Sequence, residues 1–190
     1  MKPQFRKIVM DLVECHSLIL MVIIETRLNG ARAEEIIKTF PFDGVAVANT
    51  IGFAGGIWLL WCPKLVQVDV LALREQEIHA IIQVRSQTLN WLISAIYASP
   101  RFIERYILWK NLKMLANLHD LPWAHMGDFN EVLSEEKKFG GNPICQRRVR
   151  AIQDCMNECH MMDLGFSRLK FTWSNKRDLG GLTQCKLDRS

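Results

Sequence analysis

Between residues 44 and 97 the chain passes through a series of strand-length apolar segments with only short links between them. These are Gly44–Ala48, Gly56–Trp61, Val66–Ala72, Glu77–Val84 and Leu89–Tyr97, punctuated by Gly55-Gly56, Pro63 and Gln87. Links this short leave no room for helical crossovers, so most of these strands must pair antiparallel. That requirement bounds the fold more tightly than any other feature of the sequence.

Helical patterns flank the strand-rich middle. Residues 5–16 read as an amphipathic helix with Ile8, Leu12 and Cys15 on its apolar side and Val9 and Val13 beside them. An apolar strand, 18–24, follows, then a short helix from Ala33 to Thr39 closed by Pro41. Pro100 introduces the longest helix, 102–119, with Ile103, Tyr106, Ile107, Met114, Leu115 and Leu118 as its apolar side. A strand at 122–127, a second long helix at 146–162 and a last strand at 171–174 complete the pattern. Helices on both sides of a strand-rich middle predict an α/β layered fold, and the lack of repeats or linkers predicts one domain over residues 1–190. No glycine-rich phosphate fingerprint is present, which excludes Rossmann and P-loop chemistry.

Composition narrows the class. Apolar residues make up 49% and charged residues 23%, a globular balance, and the net charge of +4 permits a polyanionic partner without requiring one. The longest apolar run is seven residues, against the roughly 18 of a membrane span. Asp11 and Glu14 interrupt the start, where a secretory signal needs an unbroken apolar stretch. The six Cys are scattered, so a reduced intracellular protein with free thiols and no membrane association is expected. Cys155 and Cys159, i and i+4 on a helix beside His160, read as buried small residues rather than a zinc site. Arg147, Arg148 and Arg150 read as a solvated helix face, with contact to a nucleic-acid backbone as the sharper reading.

Two acids stand where apolar strands end. Glu25 follows Leu18–Ile24, and Asp128, with Asn130 two residues on, follows Leu121–Met126. In open α/β sheets, ligands bind at the carboxyl ends of strands. Acids at two such ends predict a divalent-metal phosphoester site. The bland alternative is a polar turn after each strand, where Asp and Asn are favoured.

In order, the chain carries Glu25-Thr26-Arg27, Gly55-Gly56-Ile57, Tyr97-Ala98-Ser99-Pro100, Gly127-Asp128-Phe129-Asn130, Thr172-Trp173-Ser174-Asn175 and Leu187-Asp188-Arg189. This series resembles the endonuclease/exonuclease/phosphatase superfamily. It is most similar to the apurinic-type endonuclease domain of plant LINE-type (non-LTR) retrotransposons, over nearly the whole chain. The resemblance implies a four-layered α/β sandwich, two mixed sheets flanked by helices, and a monomer acting on DNA in the nucleus. It implies Glu25 as the carboxylate ligand of Mg²⁺ (or Mn²⁺) and Asp128 as the acid that orients or deprotonates the attacking water. Asn130 and Tyr97 would touch the phosphate, Asp188 would help order the site, and Trp173 would lie near the DNA-facing rim.

Two family elements, an N-terminal strand bearing an Asn and a C-terminal Ser-Asp-His element, have no counterpart in this sequence. The expectation is a domain truncated at both ends, with weak or no activity. The alternatives are a catalytically dead remnant or non-specific nucleic-acid-binding protein, and a phosphatase of the same superfamily.

Overall fold

The computed structural model describes residues 3–50, 55–164 and 171–189. In chain order the elements are α1 (Pro3–His16), β1 (Leu20–Ile24), α2 (Gly30–Ile37), β2 (Gly44–Ala48), β3 (Ile57–Trp61), β4 (Val66–Arg74), β5 (Glu77–Val84) and β6 (Asn90–Tyr97). They continue as α3 (Phe102–Ala116), β7 (Trp123–Asp128), β8 (Lys138–Phe139), α4 (Gln146–Glu158), β9 (Trp173–Ser174), β10 (Gln184–Cys185) and β11 (Asp188–Arg189). The fold is α/β, as the strand pattern predicts, and every short-link strand pair between β2 and β6 is antiparallel. No helix among the described residues is long and apolar enough to cross a membrane. Residue contacts divide the chain into two compact units, Met1–Tyr97 with Leu121–Ala124, and Ala98–Asp120 with His125–Ser190.

In the first unit, β3 is the middle strand of an antiparallel sheet ordered β1-β3-β2. Its run Ile-Trp-Leu-Leu is buried on both faces, which explains an unbroken apolar segment in place of alternation. Trp58 and Leu60 face a cluster with Val9, Ala33, Ile37, Phe40 and Phe42, so α1 and α2 cover one side. The antiparallel meander β4-β5-β6 packs on this sheet from the other side. Gly44 lies opposite Trp61 in the β2–β3 ladder, where a Cβ atom would clash with the indole. β4 forms the meander's edge and carries a bulge between Val70 and Ala72, a device that disrupts an exposed pairing edge.

A buried polar chain crosses this meander. Trp123 donates its indole N–H to Ser94 Oγ at 2.8 Å, and Ser94 Oγ lies 2.6 Å from His79 Nδ1. His79 Nε2 is 3.2 Å from Glu77 Oε2. The three side chains on β5 and β6 are at most 2% exposed, so the network serves the core.

In the second unit, α3 packs on α4. The end of β7 pairs with β11, and the two-residue strands β8, β9 and β10 form a small antiparallel sheet.

Two helix faces differ from expectation. On α1 the core-facing residues are Phe5, Val9 and Val13, while Ile8, Leu12 and Cys15 are exposed. On α3 the buried residues are Arg105, Leu108, Trp109, Leu112 and Leu115; Ile103, Tyr106, Ile107, Met114 and Leu118 are exposed. Apolar residues surround α3, so periodicity alone left its face ambiguous, and an Arg on the buried stripe ran against its usual surface preference.

Gly44→Ala is expected to destabilise the protein by about 1–3 kcal/mol, the usual cost of overpacking a filled site. Gly180→Ala, where a Cβ meets open space, should stay within about 0.5 kcal/mol of the parent. Urea unfolding of the two variants checks both.

Candidate functional site

The residues singled out from the sequence fall into two groups, one in each unit. In the first unit, Glu25 ends β1 with φ +54°, and Arg27 shares that left-handed geometry at φ +54°. Side chains other than Gly seldom adopt it, and such residues concentrate at functional sites. The turn is held by the backbone: Thr26 N–H donates to the Gly56 carbonyl at 3.3 Å and Arg27 N–H to the Gly55 carbonyl at 3.0 Å. Gly56, at φ +91°, has no room for a Cβ, which would collide with Thr26 Oγ1 and come within 2.8 Å of Thr50 Cγ2. Thr26 Oγ1 is buried and has no hydrogen-bond partner among the described residues.

The Glu25 carboxylate is 44% exposed, and Arg27 donates to its Oε1. That bond holds the Arg27 guanidinium above its ordinary range. Tyr97, at the end of β6, is 7% exposed, and its ring lies against Gly55. Glu25, Arg27, the two glycines and Tyr97 thus form one cluster.

The second group gathers at the end of β7. Asp128 Oδ1 accepts the Asn130 N–H at 2.7 Å, a turn closed by a side chain, and Asn130 takes φ +49°. Asn130 Nδ2 donates to the Ala98 carbonyl at 2.6 Å, while Ala98 N–H donates to the Asp128 carbonyl at 2.8 Å. Asp188 stands directly opposite Asp128 in the β7–β11 ladder. Thr172 Oγ1 accepts the N–H groups of Leu187 and Asp188 at 3.0 and 3.3 Å, steadying the strand that carries Asp188. Phe129 turns inward and stacks on Trp109, with ring centroids 6.2 Å apart. Asp128, Asn130 and Asp188 are therefore brought together.

Beneath that turn lies an ion cluster that the sequence reading did not assign. Arg105 is fully buried, and its Nη2 donates to Glu131 Oε2 at 2.7 Å. Arg148 Nε donates to the same oxygen at 3.0 Å, so one of the three arginines read as a solvated face is tied to the interior. Arg105 Nη1 also donates to the Ser99 carbonyl at 2.6 Å and the Pro100 carbonyl at 3.1 Å. Burial pushes the Arg105 guanidinium down and the Glu131 charge pulls it back up, while Arg148 adds to the lowering. The signal that could have found this cluster was Glu131 itself, an acid directly following the Gly127–Asn130 motif.

Cys155 and Cys159 are buried and free, and a hydrogen bond between the two thiols raises Cys155 and lowers Cys159. Trp173 is 46% exposed. His125 lies within β7 and is half-buried. Among the described residues, no group of three or more His, Cys, Asp or Glu side chains converges as a metal cage. The donor chemistry at Glu25 is that of a single accessible carboxylate. That fits a hard cation such as Mg²⁺, which takes few protein oxygens and keeps its waters.

No family model matches the sequence, and no curated protein does. Solved structures do resemble the fold. The endonuclease domain of TRAS1, a telomere-specific non-LTR retrotransposon, superposes with a TM-score of 0.66 at 15% identity, covering 99% of this chain and 78% of that one. The AP endonuclease LMAP from Leishmania major gives 0.67 at 11% identity, over 94% of this chain and 70% of its own. An AP endonuclease from Archaeoglobus fulgidus gives 0.62 at 12% identity, over 97% and 79%. The chain shares the endonuclease/exonuclease/phosphatase fold of these proteins.

Glu131→Gln should cost about 3–5 kcal/mol, because it leaves a buried guanidinium without its counter-charge. The denaturant midpoint of the variant, read by tryptophan fluorescence, checks this. A loss below about 1 kcal/mol would show that Arg105 does not depend on Glu131.

Proposed function

We propose that this protein hydrolyses DNA phosphodiester bonds in a divalent-metal-dependent reaction, as an endonuclease-like domain of LINE-type retroelement origin acting in the nucleus. The observation that carries this reading is the turn at the end of β7. There Asp128 and Asn130 are locked by their own side chains and Asp188 stands across the ladder, on a fold shared with DNA endonucleases. The left-handed backbone at Glu25 and Asn130 supports it, since such conformations persist where surrounding structure enforces them.

In this reading Glu25 holds the Mg²⁺ or Mn²⁺ ion. The chemistry a bound ion supplies is neutralisation of charge on the phosphate oxygens and on the departing alkoxide. Asp128 accepts the proton of the attacking water. Neutral donors, the Asn130 amide and the Tyr97 hydroxyl, touch the phosphate without repelling it. Asp188 orders Asp128 from the neighbouring strand. Binding of nucleic acid without hydrolysis is the second reading. The ion pair between Arg27 and Glu25 favours it, because Arg27 competes with a cation for the same carboxylate.

Nicking of supercoiled plasmid tests the proposal. The chain should relax plasmid weakly in Mg²⁺ and not at all in EDTA. Asp128→Ala should lose about two to four orders of magnitude in rate, the usual weight of a general base. A chain that melts cooperatively, never nicks and still binds labelled duplex DNA in a salt-dependent way would favour the binding reading instead.

A further inference from the structure

Facing stripes of α3 and α4 enclose a groove of about 620 Å³ that includes none of the residues assigned to hydrolysis. From α3 come Tyr106, Trp109, Lys110 and Lys113, at the i, i+3, i+4 and i+7 positions of one helix face. From α4 come Arg147, Arg150 and Asp154. Four cations thus converge on a groove that holds one acid.

Lys113 is partly neutralised, since Glu158 accepts its Nζ at 2.6 Å. Lys110, Arg147 and Arg150 are exposed and make no ion pair among the described residues. Like charges held this close repel one another, and an anion between them relieves that repulsion. Tyr106 is 40% exposed and offers its ring at the groove, braced by Phe102 at 4.9 Å.

A positive groove with an accessible aromatic ring is the pairing that tracks an unpaired strand, its phosphates on the cations and a base on the ring. We propose that the α3–α4 groove binds the backbone of single-stranded nucleic acid, as a surface separate from the hydrolytic site. A duplex has no use for Tyr106, because its bases are already stacked. DNA and RNA present the same phosphodiester chemistry to the four cations. The inference does not depend on the protein being a nuclease.

Fluorescence anisotropy of labelled oligo-dT and oligo-U of about 12 nucleotides, in EDTA so that no cleavage occurs, tests this on the full chain. Lys110→Gln with Arg150→Gln should weaken binding about tenfold or more. It should also lower the slope of log K against log salt by about 1.4, two phosphates at roughly 0.7 each. Tyr106→Ala should weaken binding about fivefold or more at unchanged slope. Both variants alter exposed side chains, and an unchanged melting temperature confirms that they fold.

Equal affinity in the parent and in the Lys110/Arg150 variant would overturn the proposal. Binding lost in Asp128→Ala but kept in the Lys110/Arg150 variant would overturn it too, placing the strand at the hydrolytic site. Poly-glutamate displacing the oligonucleotide at equal charge concentration would assign the groove to acidic polypeptides instead. A ratio of oligo-dT to oligo-U affinity near one supports backbone recognition.

Discussion

The buried guanidinium of Arg105 organises the second unit. It binds the carbonyls that lead into α3, and through Glu131 it binds the segment that leaves β7 and the Arg148 side chain of α4. A charge this deep is tolerated because Nη1 and Nη2 both find acceptors, although Nε finds none among the described residues, and removing one partner leaves the charge uncompensated. The Asp128–Asn130 turn immediately precedes Glu131. Its hydrogen bonds to Ala98 and its geometry thus begin where the ion cluster ends. Packing adds a second constraint, because Phe129 between Asp128 and Asn130 is stacked on Trp109 of α3. The turn is therefore pinned on its polar and its apolar side alike, which suits a site that must hold two polar groups at fixed positions.

Strain tells the same story in the first unit. Glu25 and Arg27 are both left-handed, and the backbone of Gly55 and Gly56 holds them there. Only a glycine at position 56 lets that backbone come close enough to Thr26. Conformations of this kind cost about 1–3 kcal/mol each and survive where the surroundings over-determine them.

Much of this was legible in the sequence, for identifiable reasons. Short links forced antiparallel strands, and Gly56–Trp61 read as a strand; that β3 is covered on both faces is visible only in the structure. The acids at strand ends stood out because they break apolar runs. The buried faces of α1 and α3 were not legible. Both helices carry apolar residues on more than one side, so Ile8, Leu12, Ile103 and Ile107 looked as buriable as Val9 and Leu108. Arg105 was hidden by its own chemistry, since a lone Arg in a helix reads as surface until its partner twenty-six residues on is known. The two-residue strands β8, β10 and β11 leave no periodic trace at all. Their pairing is set by long-range backbone bonds, such as those around Thr172 and Asp188.

The central claim is that Asp128 and Asp188, paired across the β7–β11 ladder, serve a single reaction. A double-mutant cycle on the plasmid-nicking rate, with Asp128→Asn, Asp188→Asn and the pair, tests it most directly. Groups that act as one unit are strongly non-additive, so the double variant should be no slower than the more damaged single variant. Losses that multiply, or an Asp128→Asn variant as fast as the parent, would contradict the account.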